Sequence, residues 1–182
     1  MNVFFNIARI LRSARKMDVN VKNKNMKKTV QIEESKARSM YNTASPEFKQ
    51  LLEDTFGKEF FSVKITDRVK TYEDACSELG ETPLNESELK SAGFTTDEIN
   101  YRKLKTVTKA LNEGWVPDWN NDKQQKWYPY FRLSSGVFVF CDTDYNDSRA
   151  YAGNGSRLCF PNDELATYAG KQFSEIYKNF MF

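Results

Sequence analysis

Residues 126–141 read KWYPYFRLSSGVFVFC, and this stretch decides the fold class. Two runs rich in aromatic and β-branched residues, 126–133 and 137–141, flank the short segment Ser134–Gly136. Such residues favour strands, and a short connection that contains glycine is typical of a hairpin. Pro129 has no backbone N–H to donate, so the first strand is expected at a sheet edge or beside a bulge. The stretch therefore predicts an antiparallel β-hairpin.

Upstream of the hairpin, residues 31–114 carry helical signals. Apolar stripes lie between capping residues at the start of each segment and glycines at its end. The first predicted helix covers residues 31–44. The clearest start signals are Ser45 followed by Pro46, Thr71 with Asp74, and Thr95 with Glu98.

Downstream of the hairpin, residues 142–156 are polar and predict an exposed loop, followed by a short strand at 157–160. Asn162 then begins one last apolar helix that must dock on the sheet. The predicted fold class is α+β, with N-terminal helices followed by a small antiparallel β-sheet packed by a C-terminal helix. Residues 31–114 and 115–182 are expected to form one domain.

The chain has 182 residues and no histidine. Without histidine there is no Ser–His or Cys–His nucleophile pair and no histidine-liganded zinc or iron site. The adjacent carboxylates lie near predicted helix starts, where the helix dipole accounts for them without catalysis. We therefore predict no catalytic residue and no cofactor, and we do not expect an enzyme.

The three cysteines, Cys76, Cys141 and Cys159, contain no CxxC pair and are odd in number. Each lies among apolar residues, so all three are expected to be reduced, buried and structural. Reduced thiols favour a cytosolic compartment. The chain contains no run of apolar residues long enough for a transmembrane helix, and a membrane location is not expected.

Charge is distributed unevenly along the chain. Residues 1–30 hold eight of the 27 basic residues and one acid, Asp18, whereas the remainder is net acidic. Residues 3–16 predict a basic amphipathic helix and residues 20–28 a solvated linker. We call residues 1–30 the basic arm, and three interpretations of it remain open. It could contact a membrane surface or a nucleic-acid backbone, dock on a partner, or be an extension upstream of a translation start at Met17 or Met26. The residues that would contact nucleic acid are Arg9, Arg12, Arg15, Lys16, Lys27 and Lys28.

Sixteen of the 26 aromatic residues lie in residues 115–182. They could fill the core, form a protein-binding surface in which Trp, Tyr and Arg concentrate the energy, or stack single-stranded bases with Lys123, Lys126 and Arg132 nearby. The candidate partner-binding residues are Trp115, Trp119, Trp127, Tyr128, Tyr130, Arg132 and Tyr145.

Residues 142–147 partly match the start of a calcium-binding loop. Asp142, Asp144 and Asn146 occupy suitable alternate positions. The sixth position is Asp147 where the loop needs glycine, and the twelfth is Gly153 where it needs glutamate. A solvated loop is therefore the better prediction, with these three residues as a weak metal candidate.

Five motifs carry a resemblance: ALNEGWVPDWNN (110–121), KWYPYF (126–131), SGVFVF (135–140), GSRLCF (155–160) and ELATYAGKQF (164–173). Over residues 31–182 the chain resembles a group of small proteins encoded by Bacteroidetes genomes and by their phages and prophages. The resemblance implies an accessory gene product of a phage or mobile element and brings no activity, cofactor or catalytic residue.

The sequence therefore leads to two hypotheses. The first is a non-enzymatic protein-binding module that acts in the bacterial host cytoplasm or in a virion. The alternative is a nucleic-acid-binding accessory protein that uses the basic arm and exposed aromatic residues. The sequence makes no prediction of the oligomeric state.

Overall fold

A computed structural model describes residues 14–19, 28–134, 136–147 and 158–182. In these residues the chain combines helices with antiparallel strand pairs, which confirms the α+β class. The chain divides into two compact units, Met1–Val63 and Lys64–Phe182. The boundary between the units thus differs from the one expected from composition, which separated residues 1–30 from the rest.

The first unit begins with a strand pair. Strand β1 (Ala14–Val19) pairs antiparallel with β2 (Lys28–Glu33), so that Ala14 is opposite Glu33. The predicted helix over residues 3–16 is therefore wrong at residues 14–16, and residues 3–13 lie outside the described part. The helix predicted from residue 31 is also wrong at its start, because residues 31–33 belong to β2. The β-branched residues Thr29, Val30 and Ile32 favour this strand.

Three helices follow in the first unit: α1 (Glu34–Thr43), α2 (Pro46–Phe56) and α3 (Lys58–Ser62). Ser45 caps α2 as predicted, since its hydroxyl accepts a hydrogen bond from the Phe48 N–H. The small core of this unit consists of Ala37, Leu52 and Phe56, with partly buried aromatic side chains around them.

The second unit opens with helices α4 (Ile65–Arg68), α5 (Tyr72–Leu79), α6 (Glu86–Ser91) and α7 (Thr96–Leu111). The predicted capping boxes at the starts of α5 and α7 are both present. The residues predicted to face inward on α7 are all buried, namely Ile99, Leu104, Val107 and Leu111. No helix in the described part of the chain combines the length and the apolar character needed to cross a membrane.

The hairpin and two helices complete the second unit: β3 (Lys126–Ser134), β4 (Val137–Asn146), α8 (Asp163–Gln172) and α9 (Ser174–Met181). The hairpin is confirmed, and its register shifts between Tyr130 and Phe131, directly after Pro129. The shift is the bulge that the proline suggested.

Three details of this region differ from expectation. Strand β4 continues to Asn146, because residues 142–146 pair in register with 126–130 despite their polar composition. The single last helix is two helices, which meet at the buried Phe173. In place of a strand at 157–160, the described residues contain one isolated bridge, between Phe160 and Trp127.

Candidate protein-binding surface

The hairpin has one face packed on helices. Directly opposed residues of antiparallel strands share a face, and faces alternate along each strand. The inner face therefore carries Trp127, Pro129, Phe131 and Leu133 of β3 with Phe138, Phe140, Thr143 and Tyr145 of β4. The Phe131 ring centroid lies 4.7 Å from that of Phe138 and 4.9 Å from that of Tyr177 on α9. Helix α8 approaches the same face at Gly170.

The bulge decides which residues occupy the opposite face. Tyr130 is opposite Asp142, whereas Phe131 is opposite Phe140, so Cys141 has no opposite residue. A bulge of this kind places two residues of one strand against one of the other, and side chains three positions apart can then share a face. Val139 and Asp142 share a face for this reason. We call the following set the outer face: Tyr128, Tyr130, Arg132, Ser134, Val137, Val139, Asp142 and Asp144.

The outer face exposes large apolar side chains. Val137 is 59% exposed, Tyr130 is 54% exposed and Val139 is 40% exposed. Arg132, which is opposite Val139, is also exposed. Single exposed apolar residues are ordinary, but contiguous ones on one rigid face mark interaction sites.

The acidic residues on the outer face bond locally. The Asp142 Oδ1 atom accepts a hydrogen bond from the Thr143 N–H at 2.9 Å, and the Asp144 Oδ1 atom accepts one from the Tyr145 N–H at 2.7 Å. The Tyr128 hydroxyl donates to the second Asp144 oxygen across the strands at 3.3 Å. These bonds leave both carboxylates on an exposed surface.

The loop expected at residues 142–147 is strand as far as Asn146, which corrects the calcium-loop interpretation. Alternate residues of an extended strand are about 6.6 Å apart, so Asp142, Asp144 and Asn146 do not wrap around one ion. Within the described ranges, no group of three or more Cys, Asp or Glu side chains is placed to hold a metal ion.

The three tryptophans are half-buried. Trp127 lies on the inner face, with its ring centroid 4.9 Å from that of Tyr145. Trp119 covers Lys126, whose Nζ lies 5.3 Å from the Trp119 ring centroid. Of the seven predicted partner-binding residues, the structure thus brings Tyr128, Tyr130 and Arg132 together on the outer face. It places Trp127 and Tyr145 on the other face.

Sequence reasoning missed Val137 and Val139. Both lie in the run VFVFC, where every residue is apolar and alternation gives no sign of which face is exposed. A general rule could have indicated their exposure. When helices pack on one side of a two-stranded hairpin, the alternate residues that point to the other side remain exposed to solvent.

Lys126 is buried, which corrects its assignment as a surface cation beside the aromatic residues. Its side chain is 1% exposed, and its ammonium group donates a hydrogen bond to the Asn121 carbonyl oxygen at 2.8 Å. In this arrangement Lys126 does not reach a nucleic-acid phosphate.

Two of the three cysteines are buried as expected, but Cys141 is exposed. The prediction for Cys141 is wrong because this residue occupies the bulge instead of an inner-face position. Burial raises the pKa of the Cys159 thiol to about 11, although the positive charge of Lys126 opposes the shift. Burial also raises the pKa of Cys76.

We expect Cys141 to react with a maleimide at least about tenfold faster than the other two thiols at about pH 8, because thiolate and exposure are both required. Cys159 should stay protonated and slow to react as the pH is raised towards about 10, because its pKa is raised to about 11. Peptide mapping of the labelled chain measures the rates, and Cys141→Ser should abolish the fast phase. Similar rates at two or three cysteines would contradict this assignment.

A cavity of about 10 Å³ lies between the hairpin and the helices that follow it. This volume accommodates about one water molecule and no organic substrate. The residues that line it are Tyr128, Pro129, Leu158, Tyr177, Phe180 and Met181. Compared with this cavity, the outer face of the hairpin is the stronger candidate site.

The residues of the nucleic-acid alternative lie in the first unit. Arg15 and Lys16 are in β1 and Lys28 is in β2. Arg9, Arg12 and Lys27 lie outside the described residues. The alternative remains a prediction.

A scan of family models and searches of curated proteins and of solved structures found no match to this chain. The geometry of the hairpin is therefore the basis on which a function can be argued.

Proposed function

We propose that this chain is a non-enzymatic protein-binding module and that the outer face of the hairpin is its contact surface. One observation carries the proposal: the apolar side chains of Tyr130, Val137 and Val139 are exposed on the outer face. The inner face packs on the helices around Phe131, and its exposed residues Leu133 and Tyr145 lie near the two ends of the hairpin. Interfaces draw much of their energy from tyrosine and arginine, and Tyr130 and Arg132 are neighbours on this face.

The opposite side of the hairpin supports this use by holding the strands in place. Phe131 packs on Tyr177, and Gly170 lets the α8 backbone approach Phe140 and Pro129 closely. Pre-ordered side chains lose less conformational entropy when they bind, so a docked hairpin favours binding over a mobile one.

The resemblance to phage and prophage proteins supports an accessory role in a bacterial host. We place the protein in the host cytoplasm or in a virion on that basis. Either location supplies protein partners at high local concentration.

Photo-crosslinking tests the proposal in cells. With p-benzoylphenylalanine in place of Val139, we expect irradiation to yield discrete protein adducts, because contact brings the benzophenone to C–H bonds of the partner. The matched control carries the same group in place of the exposed Ser91 on α6 and should give at least about tenfold less adduct. The adducts from position 139 should also be lost when Val137→Glu is added, since a charge there opposes apolar contact. Equal yields from both positions would overturn the proposal.

A further inference from the structure

We infer that the partner of the outer face is a second copy of this chain, packed face to face about a two-fold axis that runs along the hairpin. This inference rests on the proposed function and deepens it.

The chemistry of the outer face is divided between its two strands. Strand β3 contributes hydrogen-bond donors and a cation, through Tyr128, Tyr130, Arg132 and Ser134. Strand β4 contributes apolar side chains and acceptors, through Val137, Val139, Asp142 and Asp144. The two strands of one face are thus complementary in character.

A two-fold axis parallel to the strands places β3 of one copy over β4 of the other. Isologous contacts require a surface that is complementary to itself, and this exchange of strands supplies it. Tyr130 then faces Asp142 of the second copy, and Tyr128 faces Asp144. Arg132 lies over Val139, which is the neighbour of Asp142 on the outer face. No charge faces a like charge in this arrangement.

Arg132 provides the strongest charge argument. It is exposed, and within the described residues no carboxylate lies within salt-bridge distance of it. In the same described ranges, the Asp142 carboxylate accepts the local hydrogen bond from the Thr143 N–H and forms no ion pair. The cation and the carboxylate are therefore both available, and the two-fold arrangement places Arg132 of each copy diagonally across from Asp142 of the other.

The layer geometry agrees with a second copy. Sheets that pack face to face align within about 30° of each other, which keeps paired positions in contact along the strands. The eight outer-face residues on two strands present on the order of 300 Å² of face. Stable dimers bury about 800 Å² per partner, so the expected association is weak and depends on concentration.

Sedimentation velocity on the full chain, over about a hundredfold range of concentration, tests the inference. We expect a monomer–dimer equilibrium. Arg132→Asp and Asp142→Arg should each weaken dimerisation by about tenfold or more, because each leaves like charges as diagonal neighbours across the interface. The double variant, which exchanges the two charges, should restore it to within about threefold. The control Lys90→Asp makes the same change of charge on α6 and should leave dimerisation unaltered.

Each contrary outcome has a definite meaning. A chain that stays monomeric throughout, a dimer indifferent to both single variants, or a double variant that stays weak would overturn the inference. Near-ultraviolet circular dichroism of every variant serves as the control that folding is unchanged. The crosslinking experiment separates the two proposals: adducts of twice the chain mass from position 139 support the second copy. Adducts of other masses from a monomeric chain refute it and leave the protein-binding function standing.

Discussion

Replacing Phe160 with alanine is expected to lower the free energy of unfolding of the second unit by about 3–5 kcal/mol. Phe160 is 0% exposed and lies in the core formed by helices α4, α5, α7, α8 and α9 and the hairpin. Removing a buried ring loses its transfer free energy and leaves a cavity that the surroundings fill only in part. Because domains of this kind are stabilised by about 5–15 kcal/mol in total, the loss is a large share.

Phe160 is also the point at which the chain returns to β3. Its N–H and carbonyl oxygen bond to the carbonyl oxygen and N–H of Trp127 at 2.7 and 2.9 Å. Alanine retains these backbone groups, so the variant isolates the contribution of the ring from that of the bridge. A smaller loss for Phe160→Leu than for Phe160→Ala would confirm that packing is the cause.

Urea unfolding followed by tryptophan fluorescence measures the change in the right unit, since Trp115, Trp119 and Trp127 all belong to Lys64–Phe182. The control Tyr130→Ala removes a ring that is 54% exposed and should cost less than about 1 kcal/mol. A loss below about 1 kcal/mol for Phe160→Ala would show that the ring is not part of a close-packed core.

Replacing Gly170 with alanine is expected to lower the free energy of unfolding by about 2 kcal/mol. A Cβ at this position would lie 2.5 Å from Phe140 Cδ2 and 2.7 Å from Pro129 Cβ, well inside van der Waals contact. Overpacking of this kind costs about 1–3 kcal/mol, and two stiff neighbours favour the upper end. Alanine has a higher intrinsic helix propensity than glycine, by about 1 kcal/mol inside a helix, and this difference offsets part of the cost.

The sign of this effect is diagnostic. In a helix without the close approach, Gly→Ala would stabilise the protein, so a gain in stability would contradict the docking of the hairpin on α8. Phe140→Leu removes the ring edge nearest to Gly170. The double variant should therefore recover part of the loss, and a thermodynamic cycle of unfolding free energies measures the coupling.

Local signals predicted helix starts well in both units. Ser45, Thr71, Thr95 and Asn162 cap helices as their positions suggested, because each interaction involves atoms only three residues apart along the chain. The inward residues of α7 followed from its period for the same reason.

Features that depend on distant partners were not predictable in this way. Residues 142–146 have a loop-like composition and become strand because β3 supplies the opposite hydrogen-bonding groups. Residues 14–19 become strand because β2 pairs with them. Whether Lys126 is exposed depends on residues 119–121, whose path is not evident from composition.

The bulge at Cys141 also has a consequence for how the hairpin tolerates changes in length. Phe140 and Asp142 are already opposite consecutive residues of β3, Phe131 and Tyr130. Loss of the single residue between them would leave every inner-face and outer-face assignment as it is. Elsewhere in β4, a deletion of one residue would turn the side chains beyond it to the wrong face. The hairpin can therefore lose one residue at this point of the strand without rearranging either face.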